Sequence, residues 1–234
     1  MPPELLAHPL REPLTGVMAE LRLPVASTAL DSLLGYLDLL QRWNATYNLT
    51  AVRDPQDMLR QHLADCLAVV GPMARQLRKT VGGSNGVAGH SLRVLDVGSG
   101  GGLPGVVLAV LFPQWQVVCV DTVGKKAAFI RQAAAQLSLR NLSAEHARVE
   151  ALKSGSFDVI TSRAFASLVD FTQLSRASLA PQGMWMAMKG KAPTDELAAL
   201  PGDIDVFHGE PLSVPGLNAE RCLVWMRLKT EVRP

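Results

Sequence analysis

Cysteine is scarce in this chain. Cys66, Cys119 and Cys222 are the three among 234 residues, too few and too scattered for a disulfide framework or a zinc site, and they read as small buried hydrophobes in a reducing cytosol. Net charge is small as well. Lys and Arg number 23 against 21 Asp and Glu, which leaves +2 spread evenly along the chain. Bulk charge therefore gives no sign of a nucleic-acid partner, and any such affinity must come from a local patch. Long hydrophobic runs are missing too. The longest, Leu103 to Phe112, falls far short of the ~18 residues a membrane helix requires. The opening Met1-Pro2-Pro3-Glu4 lacks the cationic start and apolar run of a signal peptide. His8, His62, His90, His146 and His208 share no ligand spacing, so no metal site is expected. These absences point to a soluble cytoplasmic protein. With 48% hydrophobic residues, the length suffices for one sizeable α/β domain with an appendage.

What the chain does have is glycine concentrated in one place. Arg93-Val94-Leu95-Asp96-Val97-Gly98-Ser99-Gly100-Gly101-Gly102-Leu103-Pro104-Gly105 reads as a hydrophobic strand, a glycine-dense turn and the start of an apolar helix. Glycines let the backbone take positive φ and come close to a ligand, and the helix start offers unpaired N–H groups. Pro104 suits the first helical turn. Two cofactor classes use such a turn. Gly100, Gly102 and Gly105 satisfy the dinucleotide pattern G-x-G-x-x-G, and Asp121 follows the strand Trp115 to Val120 at roughly the ~20-residue ribose distance. Asp96 favours the other class, because it places an acid at the strand end in the pattern D-x-G-x-G-x-G. S-adenosylmethionine carries an amine and a sulfonium and no pyrophosphate, and a carboxylate suits a cation better than a phosphate. A nicotinamide enzyme remains the lesser reading.

The chain divides at the Gly/Ser/Asn stretch 81–90, which has no hydrophobic periodicity and reads as a loop. Residues 1–80 read as a helical extension, with amphipathic helices over Ala29 to Trp43 and Met58 to Leu67. Residues 91–234 alternate. Strands are expected at Leu92 to Val97, Gln116 to Val120, Leu142 to His146, Phe157 to Thr161 and Met184 to Met188, with helices at Pro104 to Leu111, Gly124 to Leu137 and Leu168 to Leu179. Two last strands, near Ile204 to Phe207 and Cys222 to Leu228, lack room for crossover helices and suggest an antiparallel edge. The alternation means a mainly parallel sheet covered on both faces, with its ligand beyond the carboxyl ends of the strands.

Several motifs together carry a family resemblance: Asn48-Leu49-Thr50, Arg53-Asp54-Pro55, His62 with Asp65, the turn Asp96 to Gly105, Arg148-Val149-Glu150, Ser162-Arg163-Ala164-Phe165-Ala166, Lys189-Gly190 and Glu220-Arg221. From about Leu30 to Leu228 the chain resembles the bacterial small-subunit ribosomal RNA methyltransferase G family, also called glucose-inhibited division protein B. The resemblance implies an α/β class I (Rossmann-like) methyltransferase fold with a seven-stranded sheet. It also implies methylation at N7 of guanine 527 in 16S ribosomal RNA with S-adenosylmethionine, and the 30S subunit as partner. Carried onto this chain, it has Gly98 and Leu103 lining the cofactor with Gly100, Val149 and Glu150 beside the adenine, Asp121 on the ribose and Arg163 closing the site. The sequence departs from the family at Ser99, Cys66 and Cys222, where threonine, serine and histidine are common.

Absent motifs agree with that acceptor. Amino-group methylation of adenine or cytosine usually shows an Asn/Asp-Pro-Pro-aromatic segment after the fourth strand, and cytosine C5 methylation needs a cysteine nucleophile. Thr161 to Phe165 stand in that place and supply neither. Guanine N7 has an exposed lone pair and loses no proton on methylation, so proximity and alignment suffice. Arg163 and Lys189 are the candidates for positioning RNA phosphate or cofactor carboxylate, and Phe165 or Trp43 for a stacking face. The chain is expected to act as a monomer. The alternatives are a non-enzymatic RNA-binding protein with a degenerate pocket, and a class I methyltransferase with another acceptor.

Overall fold

The computed structural model describes residues 8–81, 91–152, 156–163, 165 and 167–229. Four helices come first: α1 Arg11–Glu20, α2 Ser27–Tyr47, α3 and α4 Val70–Val81. α3 runs as Pro55–Met58, a π-helical Leu59–Ala64 and Asp65–Leu67. Its start follows from Asp54-Pro55: the Asp54 carboxylate accepts from the Asp57 amide at 3.0 Å, and Pro55 takes a first-turn position that needs no N–H. Then strands and helices alternate: β1 Arg93–Val97, α5 Gly105–Leu111, β2 Gln116–Asp121, α6 Gly124–Gln136, β3 Leu142–His146, β4 Phe157–Ser162, α7 Leu168–Ser175 and β5 Leu179–Lys189. After the short α8, Thr194–Ala198, β6 Ile204–Pro211 and β7 Cys222–Leu228 finish the sheet.

The seven strands lie in the order β3-β2-β1-β4-β5-β7-β6. β1 to β5 run parallel, and β7 enters antiparallel between β5 and β6, as the short final connections predict. Strand order reverses between β1 and β4, so the chain leaves those two strand ends in opposite directions and opens a crevice there. Val94, Leu95, Val159 and Ile160 are fully buried on both faces of the central strands because helices cover both sides. One core joins Leu14, Leu33, Tyr36 and Leu63 of the leading helices to Val94, Val117 and Trp225 of the sheet. The other joins Phe171 of α7 to Leu95, Ile160 and Trp185. Among the described residues no helix is long and apolar enough to cross a membrane.

Three helices go beyond the expected pattern. α1 buries Leu14 and Met18, two residues that make too sparse a stripe to show periodicity, and α8 is only a short turn. α4 carries Pro72 in its first turn, where a proline costs nothing. The helix expected to reach Leu179 ends at Ser175. The strand expected from Met184 begins at Leu179, because β5 pairs with Phe157 across a register shift. Gly183 belongs to that irregularity: a Cβ there would lie 2.8 Å from the Phe157 carbonyl oxygen. Of the expected loop 81–90, Val81 ends α4 and residues 82–90 lie outside the described residues.

Candidate active site

The glycine turn leaves β1 with Gly98 at φ +65° and Gly100 at φ +59°. Asp121, at the end of β2, fixes it. One carboxylate oxygen accepts from the Gly100 amide at 2.9 Å and the other from the Val123 amide at 2.8 Å. From the other side, the buried Tyr36 hydroxyl of α2 donates to the Gly101 carbonyl at 2.8 Å. Beyond the turn opens a cleft of about 440 Å³, walled by Gly98, Asp121, Lys126, Val149, Glu150 and Phe165 among others. Nothing lies within 4 Å of where a Gly98 Cβ would be, so a side chain there would protrude into open space.

Four of the expected cofactor residues, Gly98, Asp121, Val149 and Glu150, thus meet in one wall. Three do not. Gly100 and Leu103 shape the turn from within, and Asp96 lies fully buried beneath it. The Asp96 carboxylate accepts from the Gly105 amide at 2.8 Å, and its second oxygen has no hydrogen-bond partner among the described residues. Burial pushes this carboxyl up to about 7. The Asp96 carboxylate, expected beside a cation, grips the first amide of α5 in this structure. Gly105 is glycine because the helix comes so close: a Cβ would lie 2.5 Å from Cys119 Sγ and 3.0 Å from the Asp96 carboxylate.

A second, polar cavity of about 390 Å³ is lined in part by Arg163, the residue that follows β4. Its wall carries Arg163, Lys189 and Arg221, with His62 and Asp65 of α3. Asp65 is buried between two arginines. Arg221 donates from Nε to one carboxylate oxygen at 2.9 Å, and Arg163 donates from Nη1 to the other at 3.5 Å and to the Gln61 carbonyl at 3.1 Å. Lys189 donates to both Glu196 oxygens, at 2.7 and 3.0 Å, and to the Phe165 carbonyl at 3.3 Å. His62 meets the Thr50 hydroxyl at 2.9 Å, and burial first, then the Arg163 charge, lower its pKa to about 4, so the imidazole is neutral at pH 7. Two residues close in sequence serve the two cavities: Arg163 lines the second and Phe165 the first. Ser162, at the end of β4, is tied to β1 by donating to the Val97 carbonyl at 2.8 Å.

A family model described as rRNA small subunit methyltransferase G matches residues 29–224, most of the chain. The chain belongs to that family. Curated relatives share the description "Ribosomal RNA small subunit methyltransferase G". One from Leptothrix cholodnii is 59% identical over 221 residues, covering 94% of this chain and 96% of its own. One from Acidovorax ebreus is 57% identical over 222 residues, covering 95% of each. Among solved structures, a SAM-dependent methyltransferase from Aquifex aeolicus superposes with a TM-score of 0.52 at 16% identity, covering 74% of this chain and 98% of its own. TrmN from Thermus thermophilus gives 0.51 at 20%, covering 70% of this chain and 53% of its own. These two show that the fold is that of class I methyltransferases.

Within the family frame, the three departures fall behind the site or at its edge. Cys66 is buried and its thiol is pushed up to about 12, which removes it as a nucleophile. The Ser99 hydroxyl faces the Val120 carbonyl inside the turn. Cys222 opens β7 beside Arg221, opposite Lys189. Asp65 and Arg221 stand in the matching motifs, and spacing alone gives them no role. Their partnership spans 156 residues and forms only when α3 meets the start of β7. Trp43, considered for a stacking face, packs instead between Tyr47 and Phe129. Ala164 and Ala166 lie outside the described residues.

Proposed function

We propose that this chain transfers the methyl group of S-adenosylmethionine to N7 of a guanine in 16S ribosomal RNA, the guanine that the family resemblance names, and that it does so as a cytoplasmic monomer acting on the 30S subunit. One observation carries the reading: the chain has both a cleft built on a glycine turn, with Phe165 in its wall, and a polar cavity lined by the three cations Arg163, Lys189 and Arg221. The first suits a nucleoside cofactor. Gly98 leaves room for it, Asp121 offers a carboxylate at the ribose position, and Val149 with Glu150 face the adenine position. When bound, S-adenosylmethionine supplies an electrophilic methyl on a sulfonium.

The chain's own residues then have little proton chemistry to do. The neutral N7 lone pair attacks without losing a proton, and the described cavity walls offer neither a thiolate nor a charged imidazole. Arg163 and Lys189 position the phosphates on either side of the target base, and Phe165 lines the cofactor cleft. Asp65 holds the Arg163 and Arg221 guanidiniums in place, so less freedom is lost when RNA arrives.

The deciding experiment is methyl transfer from labelled S-adenosylmethionine to 30S subunits from a strain lacking the matching activity, with N7-methylguanine mapped by strand cleavage. Cleavage at a single guanine is expected. Tight cofactor binding with no transfer to ribosomal RNA would sink the acceptor while leaving the cofactor cleft standing.

A further inference from the structure

Among the described residues four large apolar side chains are exposed, Val25, Tyr47, Leu174 and Val206, and Tyr47 is the one aromatic among them. It ends α2 and is 44% exposed. Its inner face rests on Trp43, with ring centroids 5.0 Å apart, and Trp43 in turn packs edge-on against the buried Phe129 at 5.6 Å. The ring is therefore backed by a rigid aromatic stack while its remaining surface meets solvent. Two cations are fixed around it. Lys125 donates to the Tyr47 carbonyl at 2.7 Å, and Arg53 donates to Asn48 Oδ1 at 2.9 Å, where Asn48 turns the chain at φ +48°. Asp54, the acid next to Arg53, is engaged in capping α3. Along the chain this corner leads to both cavities. Lys125 adjoins Lys126 in the wall of the cofactor cleft, and the segment running on from Asn48 reaches Thr50, which meets His62 of the cationic cavity.

We propose that Tyr47, with Arg53 and Lys125 beside it, is a stacking platform for an unpaired RNA base outside the acceptor cavity. The inference rests on the RNA reading above and adds a contact to it. An exposed ring flanked by cations fits a single strand, since every base has a face to stack and every linkage carries a charge. Arg53 reaches the Asn48 side-chain oxygen and Lys125 the Tyr47 carbonyl with one donor each, and their other N–H groups stay available for phosphate.

The test uses the full chain, labelled S-adenosylmethionine and 30S subunits, comparing Tyr47→Phe, Tyr47→Leu and Tyr47→Ala. Leu keeps apolar bulk without the ring, and Phe keeps the ring. The KM for 30S subunits is expected to rise roughly tenfold in the Leu and Ala variants, within the range base stacking commands, to hold in the Phe variant, and to move without the cofactor dissociation constant. Photoactivation of Tyr47→p-benzoylphenylalanine on 30S subunits is expected to crosslink to ribosomal RNA. An unmoved KM in Tyr47→Leu, an equal loss of cofactor affinity, or a crosslink to a ribosomal protein would each overturn the platform and leave the methyl-transfer reading intact. A wild-type chain that methylates no ribosomal RNA would remove both.

Discussion

The two cavities are built from different material. The cofactor cleft is a backbone structure: amides and carbonyls of the glycine turn are held by Asp121 and Tyr36, and the turn is one continuous stretch of chain. The cationic cavity is made of side chains from α3, the end of β4, the end of β5 and the start of β7. Each has a buried aspartate at its base, in opposite circumstances. Asp65 lies between two guanidiniums, whereas Asp96 has one backbone amide and an oxygen with no partner. Charge is therefore welcome at the first and costly at the second.

The largest expected effect comes from the costly one. Burial raises the Asp96 carboxyl from its ordinary 3.8 to about 7 in the folded chain, so the folded state binds this proton more tightly than the unfolded state does. Below about pH 4 the group costs nothing. Between there and pH 7 it withdraws stability progressively, about 4 kcal/mol in all at ~1.4 kcal/mol per unit, and above pH 7 the loss levels off. Asp96→Asn keeps an oxygen for the Gly105 amide and cannot ionise. Its unfolding free energy, measured by denaturant titration at pH 5 and pH 8, should lack the fall that wild type shows. An equal fall in both would mean that the carboxyl is not the source.

Asp65→Asn tests the opposite case. Removing one member of a buried ion pair commonly costs about 3–5 kcal/mol, and because the two arginine side chains keep 26% exposure the lower end applies, about 3 kcal/mol at pH 7. Isothermal titration should find cofactor affinity retained in the folded fraction while methyl transfer falls. Stability equal to wild type would show that the arginines do not need their carboxylate. The two substitutions remove the same charge and should move stability in opposite directions at pH 8.

Legibility in the sequence follows the same division. The strand, turn and helix from Arg93 to Leu111 are readable because one short segment holds all the signals: β-branched residues, glycines where φ turns positive, and a proline at the helix start. The sheet's alternation and its antiparallel end are readable for the same reason, as periodicity and connection length are local. The Asp65–Arg221 pair is not, since its partners meet only through the packing of α3 on the sheet. The π-helical Leu59–Ala64 is equally silent in sequence, yet it ends where Asp65 begins, in the run that carries both His62 and Asp65 inward. Asp96 shows a subtler limit. Its pattern identifies the cofactor class, but not that the carboxylate faces a backbone amide under the turn.

Arg163→Ala comes next in size. Its guanidinium gives up charge-assisted bonds of about 1.5–3 kcal/mol each, so kcat/KM for 30S subunits should fall by roughly ten- to a hundredfold. Cofactor affinity should hold, because the arginine belongs to the other cavity. A matched loss of cofactor affinity would merge the two cavities into one site and erase the distinction between them.

Tyr36→Phe gives the smallest effect and the sharpest reading of what holds the cofactor cleft. It removes one hydroxyl from a fully buried ring and leaves the Gly101 carbonyl without that donor, at a cost of about 1 kcal/mol. The ring itself keeps its tilted contact with Phe129, so α2 should stay in place and the melting temperature should drop by only a few degrees. The turn, however, loses the hold that reaches it from the leading helices, leaving Asp121 to secure it from the sheet side alone. Cofactor affinity, read by calorimetry, should weaken several-fold with little change in KM for 30S subunits. If affinity stays at the wild-type value, Asp121 and the sheet suffice to shape the turn, and the leading helices serve only the cationic cavity.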